Sequence, residues 1–256
     1  MKLKADLLHC WNDFWTLIFP QGVSCVVCNG SLNSRASFEI CQACDQALPY
    51  VKKGRWVQSH SLGAGASMRM FSVMEYDGPV ASLIFRLKYK QETHLARHLG
   101  KMMAAFLLRE SLTVDLVVPV PLHRRRMQMR GYNQAQLLAK YIAETIHLPW
   151  SGDILTRVKN TKAMHRLTKQ ERRQNIADAF GIKEPFDLSD LDILLVDDIL
   201  TTGSTVEACG KILIEAGARS VTTITFARSL KRQIPGADRD QSVEQESDEK
   251  EVISWS

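Results

Sequence analysis

Residues 193–205 constrain the fold of this chain more than any other segment. They read Ile-Leu-Leu-Val-Asp-Asp-Ile-Leu-Thr-Thr-Gly-Ser-Thr. The four leading aliphatic residues predict a parallel β-strand that is covered on both faces. The strand is expected to end at Asp197 and Asp198, so that both carboxyl groups emerge at the carboxyl edge of a sheet. A short loop rich in hydroxyl groups follows the two acids.

An amphipathic helix is predicted directly after this loop, over residues 206–216, with Gly217 as its stop signal. The loop itself comprises Thr201, Thr202, Gly203, Ser204 and Thr205. The helix amino end offers unpaired N–H groups and the positive end of the helix dipole, and Gly203 lets the backbone approach an anion closely. Carboxylates accept hydrogen bonds from a ribose diol. The segment therefore predicts a site for a ribose 5-phosphate.

Three other types of fold suit this segment less well. A strand, loop and helix without a ligand would leave two adjacent carboxylates without a partner, which is electrostatically unfavourable. A receiver domain would place its acid pair on an early strand and would lack the Thr-Thr-Gly-Ser-Thr loop. The chain contains neither Gly-x-x-x-x-Gly-Lys nor Gly-x-Gly-x-x-Gly, which argues against ATPases and dinucleotide-binding enzymes.

The rest of the chain alternates between strand and helix patterns. Strands are predicted at residues 70–76, 116–121, 180–182, 194–197 and 221–226, and helices at residues 79–90, 95–109 and 135–146. This alternation predicts an α/β fold with a doubly wound parallel sheet and a ligand at its carboxyl edge. Residues 49–67 are expected to be a connector. Two basic segments, a loop at residues 123–134 and residues 155–175, suit a phosphorylated ligand or nucleic acid.

Four of the six cysteines form two Cys-x-x-Cys pairs, Cys25 with Cys28 and Cys41 with Cys44. Two such pairs can close a tetrahedral thiolate site, for which Zn²⁺ is the natural occupant. A disulfide framework is disfavoured in a reducing cytosol, and a redox pair would need only one of the two motifs. Because four Cys ligands leave no open position, we expect structural zinc without a catalytic role. Cys209 lies on the apolar face of the predicted helix and is expected to be a core residue.

Charge and hydropathy predict a cytoplasmic protein without a membrane span. No apolar run approaches the roughly 20 residues that cross a bilayer. His9, Asn12 and Asp13 interrupt the aromatic-rich beginning of the chain, which we expect to pack on the protein rather than to act as a signal peptide or membrane anchor. The formal net charge is +5, yet residues 233–256 hold seven acidic and two basic residues. We therefore expect a disordered acidic tail on a distinctly basic protein.

Several motifs together resemble a known family. Residues 196–205 resemble the PRPP-binding signature of type I phosphoribosyltransferases. The chain also carries Phe-Arg-Leu-Lys-Tyr-Lys at residues 85–90, Val-Pro-Val-Pro at 118–121, Arg-Gly-Tyr-Asn-Gln at 130–134, and Gln170 with Arg173 and Asn175. With the cysteine pairs, this combination resembles the ComF/GntX family of phosphoribosyltransferase-like bacterial proteins over about residues 5–230. That family often has Arg-Gly-Phe-Asn where this chain has Arg-Gly-Tyr-Asn.

The resemblance implies an organisation and a set of site residues. It implies an N-terminal helix and a four-cysteine zinc module at residues 1–55, a phosphoribosyltransferase-like domain at residues 68–232, and a tail at residues 233–256. Asp197 and Asp198 would hold the ribose hydroxyls of PRPP with Mg²⁺, and the loop at residues 201–205 would hold the 5-phosphate. The pyrophosphate turn would contain Val120 and Pro121. Lys88, Arg130 and basic residues between 157 and 173 are the candidates to neutralise pyrophosphate, and with the two acids Lys88 and Arg130 complete the candidate catalytic set.

Two functions are compatible with these features. The first is a PRPP-binding, phosphoribosyltransferase-like protein that acts in DNA uptake during natural competence or in the use of external DNA. The second is an adaptor that handles single-stranded nucleic acid and whose PRPP site is vestigial or regulatory, with Tyr132, Trp56 or Trp150 stacking on bases. The basic segments make single-stranded DNA a candidate partner, and the resemblance implies competence or DNA-uptake proteins as further partners. We favour the first function, although no residues identify an acceptor base.

Overall fold

A five-stranded sheet forms the centre of the fold. The computed structural model describes residues 23–32, 37–52, 58–63, 66–110, 112–157, 179–183 and 186–229. Within these residues the sheet has the order β1-β2-β7-β6-β3. Its strands are β1 (Gln58–Gly63), β2 (Ala66–Glu75), β3 (Leu116–Pro119), β6 (Asp192–Leu200) and β7 (Ser220–Arg228), and a separate antiparallel pair comprises β4 (Leu155–Arg157) and β5 (Phe180–Ile182). All neighbours in the sheet are parallel except β1, which lies antiparallel at the edge.

The sequence supplies capping side chains at the start of some of the helices. They are α1 (Gln42–Ala47), α2 (Gly78–Tyr89), α3 (Leu95–Glu110), α4 (Arg124–Arg130), α5 (Gln134–Ile146) and α6 (Ser204–Glu215). The Asp77 carboxylate accepts a hydrogen bond from the first N–H of α2, and the Asn133 side chain accepts one from Ala135 N–H at the start of α5. No helix among the described residues is both long enough and apolar enough to cross a bilayer.

The two faces of β6 pack into two separate apolar cores. Leu194 and Val196 belong to the first core, together with residues of α2, α3, α5 and the cysteine segment. Ile193 and Leu195 belong to the second core, which includes residues of α6. Because side chains alternate along a strand, this division covers the sheet on both faces. The predicted doubly wound α/β sheet is thereby confirmed.

The strand β6 loses one of its two neighbours at Asp197. The last pair between β3 and β6 joins Pro119 to Val196, whereas β7 accompanies β6 as far as Leu200. Asp197 and Asp198 therefore lie in a strand that is paired on one side and open on the other. The open side is a crevice at the carboxyl edge, where ligands bind in sheets of this type.

Three sequence predictions are corrected by the structure. The connector predicted at residues 49–67 contains β1, because the backbone of this segment pairs with β2. The basic loop predicted at residues 123–134 contains α4. The motif strand does not end at Asp197 but continues to Leu200, because β7 continues to pair with it. The predicted N-terminal lead-in, residues 158–175 of the second basic segment, and the acidic tail lie outside the described residues.

The helices α3 and α5 approach closely at Gly100. A Cβ atom at this position would lie 2.7 Å from Cβ of Tyr141 and 3.3 Å from the Leu138 carbonyl oxygen. Any side chain would therefore push the two helices apart. The glycine lets α3 pack directly against α5 on one face of the sheet.

Candidate functional site

A pocket of about 420 Å³ opens beside the two adjacent acids. Asp197, Asp198, Val120, Pro121 and Thr205 line it. Among the described residues, five Lys or Arg side chains also line it: Lys88, Arg125, Arg126, Arg130 and Arg157. This excess of positive charge in a concave site favours an anionic ligand.

The predicted residues Lys88 and Asp198 form an ion pair inside the pocket. The Lys88 ammonium group lies 3.0 Å from Oδ2 of Asp198, and the two side chains are only 20% and 12% exposed. Lys88 comes from the last turn of α2 and Asp198 from β6, so the pair joins two elements across the crevice. In the described structure Lys88 therefore balances the charge of one acid directly.

The neighbouring carboxyl group of Asp197 is held in a less favourable environment for its charge. Burial, and then the charge of Asp198, raise the pKa of Asp197 to about 7. The Asp198 N–H, which donates to Asp197 Oδ1 over 2.8 Å, opposes this rise, as do the charges of Lys88 and Arg157. Asp197 therefore keeps its proton to a higher pH than an aspartate in water does.

The predicted phosphate loop adjoins the pocket through its last residue. Of Thr201, Thr202, Gly203, Ser204 and Thr205, only Thr205 lines the pocket. Gly203 precedes α6 with φ of 80°, a left-handed conformation that glycine adopts readily, and no side chain caps the helix at this position. The Thr202 Oγ1 accepts a hydrogen bond from Ser204 N–H over 3.4 Å. The loop is therefore shaped as a helix amino end, which is the geometry that binds anions.

A second turn reaches the pocket at Val120 and Pro121. The Val120 N–H donates to Val196 O over 2.9 Å, which continues the contact between β3 and β6. The Asn133 Nδ2 donates to Val120 O over 2.9 Å, while Oδ1 of the same side chain accepts from Ala135 N–H over 3.1 Å. One buried amide thus fixes both the turn and the start of α5.

Arg130 lies in the pocket at the end of α4. Its guanidinium carbon is 5.2 Å from the centre of the Tyr89 ring, in a cation–π arrangement. Arg157 is the described part of the basic segment predicted between residues 157 and 173, and it also reaches the pocket. Arg130 of the first predicted basic segment and Arg157 of the second therefore reach the same cavity.

Some lining residues had no individual role assigned from the sequence, although all except the first belong to the basic segment at residues 123–134: Tyr89, Arg125, Arg126, Met129 and Gln134. The run of three arginines at residues 124–126 was the available signal for two of them. Gln134 is buried, and its Nε2 has no hydrogen-bond partner within the described structure. Of the predicted stacking residues, Tyr132 and Trp150 pack against the first core, and Trp56 lies outside the described residues.

The four predicted cysteine ligands lie together. All four Sγ atoms are within 4.8 Å of one another, and those of Cys28 and Cys41 are 3.8 Å apart. A tetrahedral site with Zn–S bonds of about 2.3 Å places its sulfur atoms about 3.8 Å apart. Backbone N–H groups of Cys41 and Gly30 donate to the sulfurs of Cys25 and Cys28 over 3.3 and 3.4 Å. The donor set and its spacing fit a closed metal site with four thiolate ligands.

One of these thiols is already biased toward the thiolate form. Burial raises the pKa of Cys25, but backbone N–H donors, first that of Cys41, outweigh it and lower the pKa to about 6. The thiolate is the form that ligates metals.

Comparison with known proteins identifies the domain. The phosphoribosyl transferase domain family matches residues 128–255. The DNA utilization protein YhgH of Salmonella typhimurium is 31% identical over 228 residues, covering 86% of this chain and 97% of that protein. Competence protein F of Haemophilus influenzae is 29% identical over 224 residues, covering 80% of this chain and 96% of its own.

Two further similarities are more limited. Competence protein ComFC of Bacillus subtilis is 32% identical over 115 residues, which are 44% of this chain and 45% of that protein. Among solved structures, adenine phosphoribosyltransferase from Saccharomyces cerevisiae aligns at a TM-score of 0.37 and 15% identity, over 68% of this chain and 83% of its own. A TM-score at that level carries no weight beyond the sequence matches.

Four findings agree with what the resemblance to this family implied: the matched domain, the near full-length relatives, the parallel sheet and the clustered cysteines. The two sequence relatives that cover most of this chain are themselves covered almost completely, so the similarity extends over nearly the whole length of each relative. The chain belongs to the ComF family of phosphoribosyltransferase-like proteins, with a type I fold and a four-cysteine cluster near its amino end.

Proposed function

We propose that this protein binds PRPP, or a closely related ribose 5-phosphate, and acts in DNA uptake during natural competence or in the use of external DNA. The single observation that carries the proposal is the position of Asp197 and Asp198 at the crevice beside β3, in a basic pocket next to the amino end of α6. The relatives named for competence and DNA utilization support the biological role.

The proposed roles follow the chemistry of each group. Asp197 and Asp198 accept hydrogen bonds from the ribose hydroxyls, and the amino end of α6 with Thr205 receives the 5-phosphate. The turn at Val120 and Pro121 lies against the pyrophosphate, and Arg130 supplies positive charge to it. Lys88 balances Asp198 until a ligand provides other partners.

Mg²⁺ is the metal that this ligand chemistry implies. When bound, it would neutralise charge on the pyrophosphate and orient it. The carboxylates of Asp197 and Asp198 are hard oxygen ligands of the kind that Mg²⁺ prefers, and they fit that role. We likewise propose structural Zn²⁺ on Cys25, Cys28, Cys41 and Cys44.

The same arrangement supports transfer of the phosphoribosyl group to a nitrogen nucleophile. In that reaction the bond between the ribose C1 and the pyrophosphate oxygen breaks, pyrophosphate leaves with the bonding electrons, and the nitrogen forms the new bond to C1. The chain would contribute position and positive charge near the leaving group. We also propose that the chain comprises a zinc module at residues 1–55, a phosphoribosyltransferase-like domain at residues 68–232 and a tail at residues 233–256.

Isothermal titration calorimetry with PRPP and Mg²⁺ tests the proposal. The wild type should bind, and the double variant Asp197→Asn with Asp198→Asn should lose binding because both diol acceptors lose their charge. Asp153→Asn, an exposed acid outside the pocket, is the matched control and should bind as the wild type does. Equal heats from the double variant and the wild type would end the ribose-site assignment.

A second candidate function, handling of single-stranded nucleic acid, is favoured by one surface. Phe85 and Tyr89 are 50% and 53% exposed, and their ring centres lie 5.1 Å apart. Lys90 lies over the Phe85 ring and Arg130 over the Tyr89 ring. Exposed rings flanked by cations suit stacked bases and their phosphates. Affinity for an oligonucleotide should then fall steeply with salt, and a flat salt dependence would exclude this function.

A further inference from the structure

The side chain of Arg86 joins the last turn of α2 to the cysteine cluster. Its Nη1 donates to Val26 O over 2.7 Å, and Val26 directly follows the ligand Cys25. Its Nε and Nη2 donate to the Glu92 carboxylate over 3.1 and 2.7 Å. The Arg86 side chain is 19% exposed. A largely buried guanidinium that makes a bidentate contact with a carboxylate is held in one position and does not move as an exposed side chain does.

The same helical turn carries the pocket residues. Lys88, two residues after Arg86, pairs with Asp198 over 3.0 Å. The Leu87 carbonyl accepts a hydrogen bond from the Tyr132 hydroxyl, and the Tyr89 ring contacts the Arg130 guanidinium. One turn of α2 is therefore tied to the cysteine cluster on one side and to the ligand pocket on the other.

The cysteine segment is packed too tightly to move independently of this turn. Cys25 is fully buried and Ile40 is 2% exposed, and both belong to the same core as Leu83 and Leu87 of α2. The Val26 N–H donates to Glu39 O over 3.0 Å, which fixes the peptide next to the carbonyl that receives Arg86. Close-packed contacts of this kind transmit displacements instead of absorbing them.

We propose that Arg86 is a positioning residue that makes ligand affinity depend on the intact cysteine cluster, by holding Lys88 against Asp198. The final carbonyl groups of a helix have no partner within the helix, so its last turn frays unless something else fixes it. Without the contact to Val26, the end of α2 loosens and Lys88 withdraws. Asp198 then lacks its paired cation when a phosphate approaches. The identity of the ligand rests on the proposed function, whereas the linkage does not.

A mutant cycle measures whether Arg86 acts through Lys88. PRPP affinity in the presence of Mg²⁺ is measured by calorimetry for the wild type, Arg86→Met, Lys88→Met and the double variant. We expect each single variant to bind about tenfold more weakly. The double variant should bind no more weakly than Lys88→Met alone, because the effect of Arg86 passes through the lost ammonium group. Additive losses, or an unchanged affinity of Arg86→Met, would overturn the proposal.

Lys140→Met is the matched control for this cycle. Lys140 is a 46% exposed lysine on α5 that pairs with Glu144 outside the pocket. Its removal should change neither zinc content nor PRPP affinity. A general loss of stability in Arg86→Met would lower the melting temperature without producing the non-additive pattern.

Amide hydrogen exchange tests the linkage without any ligand. The Lys90 N–H donates to Arg86 O over 3.0 Å and reports directly on the end of α2. In Arg86→Met with zinc retained, and in the wild type after chelation of zinc, the amides of residues 87–90 should exchange faster, while those of α5 in Arg86→Met stay protected. Unchanged exchange at residues 87–90 in Arg86→Met would refute the linkage. If calorimetry detects no binding of PRPP to the wild type, the proposed function is wrong. Hydrogen exchange alone then tests the linkage.

Discussion

The Lys88 ammonium group lies 3.0 Å from the Asp198 carboxylate and connects the end of α2 to the central strand β6. This pair neutralises one of the two carboxylates in a pocket that is otherwise basic. It also gives Lys88 a structural role in the ligand-free protein, in addition to the role near pyrophosphate that the motif implied. The following predictions start from this pair and extend to the other features of the fold.

The variant Lys88→Met should lower the free energy of unfolding by about 1–3 kcal/mol, because it leaves a mostly buried carboxylate without its partner. Combining it with Asp198→Asn should restore part of that loss, since the remaining group is then neutral. Urea unfolding followed by circular dichroism measures both. The prediction is wrong if the double variant is less stable than Lys88→Met.

Asp197 should make the protein less stable as pH rises from about 4 to about 7. In the unfolded chain this carboxyl group loses its proton near its usual pKa of about 3.9. In the folded protein its pKa is raised to about 7, so the folded state retains a proton that the unfolded state has released. Asp197→Asn should therefore be more stable than the wild type at pH 8 by on the order of 1–3 kcal/mol, and the difference should vanish near pH 4.

Thermal and urea unfolding across this pH range check that prediction. Asp153→Asn, which changes an exposed carboxyl group, should follow the wild-type profile. A wild-type protein that gains stability relative to Asp197→Asn between pH 4 and 7 would show that the pKa of Asp197 is lowered instead.

The variant Cys28→Ser should lose bound zinc, since a four-ligand thiolate site with one weak ligand binds the metal poorly. Cys28 is exposed, so its replacement removes no core packing. Elemental analysis of purified protein gives the zinc content. Cys209→Ala, a buried cysteine in the second core, is the control and should keep its zinc. Retention of zinc by Cys28→Ser would contradict the four-cysteine assignment.

The variants Phe85→Ala and Tyr89→Ala should weaken binding of a single-stranded oligonucleotide by about 5- to 150-fold each, if bases stack on these rings at about 1–3 kcal/mol per base. Fluorescence anisotropy at fixed salt measures the affinity. Leu108→Ala, which removes another exposed apolar side chain, should bind normally. Normal binding by both aromatic variants would remove the support for the second candidate function.

The variant Gly100→Ala should destabilise the protein by about 1–3 kcal/mol, because its Cβ would overlap the closely packed start of the Tyr141 side chain. Gly152→Ala is the matched control, since it makes the same change where the neighbouring side chain can move. Its Cβ would meet the far end of the Gln136 side chain, which can turn away. Denaturant unfolding should therefore show a clear loss for Gly100→Ala and little change for Gly152→Ala.

Much of the fold could be predicted because local pattern and tertiary structure agree. The four aliphatic residues before Asp197 form a strand with both faces buried, and α2 and α3 begin and end within one residue of their predicted bounds. Strand β1 was missed because Gln-Ser-His-Ser-Leu-Gly has no apolar alternation, and its pairing with β2 holds it in place. Helix α4 was missed because none of its residues is buried.

The site was partly predictable for a similar reason. The acid pair, the hydroxyl loop and the cysteine pairs are each contiguous or regularly spaced, so the sequence displays them. The contact between Arg86 and Val26 joins residues 60 positions apart, and that between Lys88 and Asp198 joins residues 110 apart. No local pattern reveals such pairs, because they form only when the tertiary fold brings distant elements together.

The strand that bears the two acids also limits how this pocket can evolve. Hydrogen bonds to β7 hold its backbone as far as Leu200, and the core fills both of its faces. A substitution that tilted this strand would break the sheet before it altered ligand choice. New selectivity in descendants of this protein should therefore arise in α4 and in the end of α2, while the carboxylates keep their places.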